Sequence, residues 1–126
     1  VIQLVRKLEL ESRLRLSITM QTGVLGTVLS NQQSIVVYRS IQEALTNMMR
    51  HSASRQAEIE FQIIAQRDLR FRIAHPLKEA VKINEGFGLK AMRERLTEVQ
   101  GRLTIRQIDG QFEIIGQFPI EGEKND

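Results

Sequence analysis

The chain has 126 residues, enough for one hydrophobic core and too few for two domains of typical size. Hydrophobic residues at 41% and charged residues at 26% are an ordinary globular composition, and the absence of Cys rules out disulfides and thiolate metal sites. The net charge is only +3, no basic cluster is interleaved with aromatic residues, and no apolar run approaches the ~20 residues that span a bilayer, so neither nucleic acid nor a membrane is an expected partner.

Val1, Leu4, Val5 and Leu8 recur at helical spacing, so residues 1–10 read as an amphipathic helix. It begins in mid-pattern, as the end of a connecting helix in a longer protein would. In "RLRLSITM", Leu14, Leu16, Ile18 and Met20 alternate with polar residues and predict a half-buried strand. Ser30 followed by Gln33 is a capping-box pattern that opens a helix running to about His51, with Val37, Ile41, Ala44, Leu45 and Met48 as its core stripe. "AEIEFQI" and "LRFRIA" alternate on either side of a turn near Gln66–Asp68 and predict a hairpin whose second strand ends at Ala74.

The stretch "HPLKEAVKINEGFG" is long for a connection and so reads as a functional loop. A further helix starts near Leu89, with Leu89, Met92, Leu96 and Val99 facing the core and Gly101 as its stop. "RLTIRQI" and "QFEIIGQF" flank Asp109–Gly110, a two-residue hairpin signal. Residues 121–126 are polar and are expected to fray. Residues 1–126 are thus expected to form one domain, an α+β two-layer sandwich: a mixed, mostly antiparallel five-stranded sheet with about three helices on one face.

Two motifs carry chemistry. In "QEALTNMMRHS", Ser40, Glu43, Asn47 and Arg50 fall three and four residues apart and share one helical stripe. Spacing alone fits a solvated helix face. The residue types also fit a metal–phosphate face: an amide oxygen is a hard ligand for Mg²⁺, and a carboxylate one turn earlier can orient water or accept a proton. Arg50 and His51 at the helix end could then meet phosphate charge. In "GFGLKAMRER", Gly86 and Gly88 precede a helix N-terminus, where a capping turn or a bound anion would each explain them.

Taken together and in this element order, the two motifs resemble the ATP-binding catalytic domain of bacterial sensor histidine kinases, in the GHKL superfamily shared with gyrase and MutL-type ATPases. The likeness is to the subfamily of nitrate, hexose-phosphate and membrane-fluidity sensors, which carry "QEALTN" before a basic residue and His, and later "GxGLxGMRERL". Here "QEALTNMMRHS" and "GFGLKAMRERL" match, with Ala91 in place of a Gly. The resemblance covers essentially the whole chain and implies the Bergerat ATPase fold.

The resemblance also implies roles. Glu43 would be the catalytic carboxylate, Asn47 the Mg²⁺ ligand, and Arg50 and His51 neighbours of the phosphates, with Gly86, Gly88 and Leu89 at the nucleotide lid. ATP and Mg²⁺ would be the cofactors. The partners would be the protein's own dimerisation domain, which bears the acceptor His, and a response regulator. The full-length protein would be a homodimer with this domain in the cytoplasm. The family's Asp-x-Gly adenine motif is where the sequence departs: His75, Pro76 and Leu77 stand in its place. Weakened nucleotide binding is therefore expected, and a degenerate domain serving as a binding or regulatory module is the alternative. An anti-sigma-factor type of ATPase fits less well, because "MRERL" points to the sensors.

Overall fold

The computed structural model describes residues 15–21, 23–24, 27–51, 56–77 and 88–120. The expected helix over residues 1–10, most of the long loop and the tail lie outside them. In chain order come β1 (Arg15–Met20), α1 (Asn31–His51), β2 (Gln56–Ile64), β3 (Asp68–Pro76), α2 (Gly88–Glu98), β4 (Arg102–Ile108) and β5 (Gln111–Pro119). The five strands form one sheet in the order β1-β2-β3-β5-β4, parallel between β1 and β2 and antiparallel elsewhere. The mixed, mostly antiparallel sheet is therefore as expected, with two helices among the described residues.

The capping box at the start of α1 is formed in both directions. The Gln33 N–H donates to Ser30 Oγ at 3.1 Å, and the Ser30 N–H donates to Gln33 Oε1 at 3.2 Å. Buried Gln33 also donates from Nε2 to the Pro119 carbonyl at 2.9 Å, tying the helix start to the end of β5. From there Val36, Val37, Ile41, Ala44 and Leu45 turn into the core at helical spacing.

On the sheet, period-two alternation decides what α1 and α2 cover. Ile59 and Phe61 of β2 pair with Ile73 and Phe71 of β3, which pair in turn with Ile114 and Gly116 of β5. These residues share one face, and all but Gly116 join Leu89, Met92 and Leu96 of α2 in a single core cluster. Each fully buried side chain of this size contributes about 1.5–3 kcal/mol. The β4–β5 hairpin turns through Asp109 and Gly110, both left-handed at φ 50 and 74, which is why the Asp-Gly pair suits it.

Two expectations are corrected. Gly101 is not the left-handed residue that ends α2; Gln100 is, at φ 62. The Gln100 N–H donates to the Thr97 carbonyl at 3.1 Å and the Gly101 N–H to the Leu96 carbonyl at 2.7 Å, so Gly101 sits one place later in a Schellman cap. Its small size serves packing instead, because a Cβ there would lie 2.6 Å from the Gln117 carbonyl oxygen.

Nor does β3 stop at Ala74. It continues with His75 opposite Phe112 and Pro76 opposite Gln111, and the Leu77 N–H donates to the Gly110 carbonyl at 2.9 Å. Leu77 thus points its N–H at β5. Pro76, lacking an N–H, faces the β2 side, where pairing reaches only as far as Ala74. A proline is tolerated there because no ladder hydrogen bond is lost.

Candidate functional site

The start of α1 lies by Pro119 and the end of α2 by Gln117, so the two helices run antiparallel with the C-terminal half of α1 beside the N-terminus of α2. This arrangement brings the two sequence motifs together. Gly88, first residue of α2, is packed so closely on Glu43 that a Cβ placed there would overlap Glu43 Oε2 and come 2.7 Å from its Cδ. Glu43 and Asn47, one turn apart on α1, are each partly exposed, while Leu89 is buried behind them in the core.

Ser40 changes the reading of the stripe. It is 0% exposed and its Oγ has no hydrogen-bond partner, so the Ser40–Glu43–Asn47 line is not a solvated helix face. It starts inside the protein and emerges at Glu43. Arg50 and His51 belong to the last turn of α1 by backbone, but their side chains, and all of Gly86, lie outside the described residues. Among the described residues no group of three or more His, Asp and Glu could hold a metal by itself. A Mg²⁺ at Asn47 would therefore take most of its ligands from phosphates and water, which is its usual habit.

The other end of the site is built on strands. His75 shares the core-facing side of β3 with Phe71 and Ile73, is 3% exposed, and stacks on Phe112 with ring centroids 5.5 Å apart. Its Nδ1 lies 3.2 Å from the Pro76 carbonyl, which can only accept, so Nδ1 carries the proton in that contact. Leu77 packs against the core beside it. Phe112 carries no motif. Only the pairing of β3 with β5 puts it against His75, and neither strand's sequence specifies that pairing.

On the opposite sheet face a charge network backs these same strands. Glu113, 2% exposed, accepts hydrogen bonds from Arg72 Nε and, at 2.5 Å, from Arg106 Nε. Arg72 Nη1 also reaches Glu58 at 3.4 Å and Glu60 at 3.3 Å. Burial pushes the Glu113 carboxyl up, but the hydrogen bonds and charges of Arg72 and Arg106 outweigh it and hold the group below the usual carboxylate range. Arg72 is affected in the opposite sense: burial lowers its pKa, but the hydrogen bond and charge of Glu113, with smaller contributions from Glu60 and Glu58, outweigh it and the net direction is upward.

No protein-family model matches the chain, and no curated protein sequence does either. Solved structures do match. The Acinetobacter baumannii histidine kinase AdeS superimposes with a TM-score of 0.70 at 10% identity, over 96% of this chain and 63% of that one. The catalytic domain of histidine kinase ThkA gives 0.68 at 13% identity, over 94% and 92% of the two chains. The fold is that of a histidine-kinase catalytic domain. The mycobacterial sensor histidine kinase MprB shares it, with a TM-score of 0.66 at 15% identity over 94% and 90% of the chains. This chain spans less than two-thirds of AdeS, and at such identities the likeness is one of fold. In the histidine-kinase fold, then, two motifs far apart in this sequence meet at Glu43 and Gly88, while the place of the expected Asp-x-Gly holds a buried aromatic stack.

Proposed function

We propose that the chain is the ATP-presenting domain of a two-component sensor histidine kinase of the nitrate- and membrane-fluidity-sensor subfamily, with a weakened hold on the base. The observation that carries this reading is the packing of Gly88 against Glu43, which unites the two motifs of the resemblance in one place. In this reading Asn47, with Arg50 and His51 at the same helix end, holds the metal–phosphate half of the substrate. Bound Mg²⁺ supplies charge neutralisation at the phosphates.

The reaction is phosphoryl transfer to an imidazole on the protein's own dimerisation domain. The acceptor nitrogen attacks the γ-phosphorus, and the bond from that phosphorus to the β–γ bridging oxygen breaks. Its electron pair leaves with ADP, and the proton on the other ring nitrogen of the acceptor imidazole passes to Glu43. Neither His51 nor His75 lies in a dimerisation motif, so the acceptor belongs to another part of the protein, which would work as a cytoplasmic homodimer and pass the phosphoryl group to a response regulator.

His75 favours a second reading. Its ring is buried and stacked where the family would present an Asp to adenine, so a domain that has lost nucleotide binding and serves as a regulatory module is the alternative. Calorimetry of the chain with ATP and Mg²⁺ separates the two. Weak, Mg²⁺-dependent binding that ATP and GTP share supports the kinase reading. Absence of binding at millimolar nucleotide, with normal transfer by a partner kinase, selects the regulatory module.

A further inference from the structure

Glycine at position 88 is not required by its backbone. Among the described residues the left-handed glycines are Gly23 and Gly110, so any L residue could adopt the conformation at 88. Helix propensity would even favour Ala over Gly, by up to about 1 kcal/mol in a helix interior. Space is the reason. A Cβ at 88 would overlap Glu43 Oε2, lie 2.7 Å from Cδ and 3.4 Å from Oε1, and meet nothing else as near.

The atoms in the way are the flexible end of a partly exposed side chain. A methyl group could be admitted by swinging that carboxylate aside, with little harm to the fold. The consequence of filling the space is therefore positional.

We infer that Gly88 is a positioning residue for Glu43: by presenting no side chain it lets the carboxylate rest against the first turn of α2 and so fixes where that carboxylate points. The partner is chemically apt, because the unpaired N–H groups and the dipole of a helix N-terminus favour an anion, and α2 has no acidic residue in its own first turn. Glu43, reaching across from α1, supplies it. Among the described residues the Glu43 carboxylate takes part in no ion pair, and its carboxylate atoms are the ones packed against the first residue of α2. This inference rests on the proposed role of Glu43 as proton acceptor. A displacement of about 1 Å in such a group costs on the order of 100-fold in rate.

The test pairs two substitutions in the full-length kinase. G88A should lower the phosphotransfer rate about 100-fold, more than it lowers nucleotide affinity, and should leave the melting temperature level or higher. E43D alone should also be slow, because its carboxylate falls short. Combined, E43D withdraws the carboxylate from the added methyl, so G88A/E43D should transfer faster than G88A. Losses that simply add in the double variant would overturn the inference, since a glycine needed only for the fold gains nothing from a shorter acid. A crystal structure of G88A reads the position directly: a displaced Glu43 carboxylate supports the inference and an unmoved one defeats it. If E43Q transfers normally, the proton-acceptor reading falls by itself, and the crystal structure still decides the positioning.

Discussion

Helices build one end of the candidate site and strands build the other, and the two ends have fared differently. At the helical end Glu43 and Asn47 stand one turn apart on α1, and Glu43 meets the glycine that opens α2. At the strand end His75 and Leu77 stand where the resemblance would place an adenine-reading pair, and the His75 ring stacks on Phe112 at an interplanar angle of 26°. Under the proposed reading, phosphate and metal would be held through backbone N–H groups, an amide oxygen and water, which depend on the path of the chain more than on any single side chain. Base reading depends on one acceptor at one strand position. A single replacement there can remove it without disturbing the helical end.

The largest effect expected from breaking this contrast is at Glu43. Under the proposed reading, Glu43→Gln in the full-length protein lowers phosphotransfer by about 10²–10⁴-fold, the usual worth of a positioned proton acceptor, and spares nucleotide binding. Asn47→Ala should instead abolish Mg²⁺-dependent binding by calorimetry while leaving the melting temperature nearly unchanged. A large loss of stability would mean that Asn47 is a structural helix residue.

Next comes the network that backs the strand end. Glu113→Gln leaves Arg72 without its buried partner, and breaking a buried pair costs about 3–5 kcal/mol. Because Arg106 is half exposed, a loss of about 2–3 kcal/mol is expected in urea unfolding, with no change at the helical end. The pH dependence has a definite sign. The folded-state pKa of Glu113 is depressed, so its contribution is fully present above the unfolded carboxylate value of about 4.3 and is lost as pH falls through the folded value. Stability of the native chain should drop more steeply with acid below about pH 5 than that of Glu113→Gln. Equal slopes would show that the pair with Arg72 and Arg106 is not formed in solution.

The smallest effect is at the base. A hydrogen bond to a charged acceptor contributes about 1.5–3 kcal/mol, so its absence predicts discrimination between ATP and GTP that is weaker by roughly 10- to 150-fold. The joint change His75→Asp with Leu77→Gly should recover part of the ATP preference in a competition assay. Tight, adenine-selective binding by the unaltered chain would show that another group reads the base.

The contrast also explains what could be read from the sequence. The capping box of Ser30 and Gln33 and the Asp109–Gly110 turn are local devices. Each depends on residues within a few positions of one another, and each formed as its spacing implied. Long-range consequences were not legible. Gly101 was expected to stop α2, yet the left-handed residue of the cap is Gln100, and Gly101 is kept small by its close approach to β5. His75–Pro76 looks like a strand end, since a proline usually interrupts a ladder, until the one-sided pairing with β5 is known. Glu113 alternates as an outward, solvated residue and is buried instead, because Arg72 and Arg106 close over it from the neighbouring strands. The meeting of Glu43 with Gly88 entered only through the resemblance, and the fold supplied its physical reason.

Gln33 gives α1 a mechanical character. Its side chain anchors one end of a 21-residue rod, about 31 Å long, to the carbonyl that closes β5. Glu43 lies ten residues further along, about 15 Å away on the same rigid axis. A small slide of the final strand along the sheet would therefore carry through the rod with little attenuation and shift the carboxylate relative to α2. β5 and the acid of α1 thus stand at two ends of one lever.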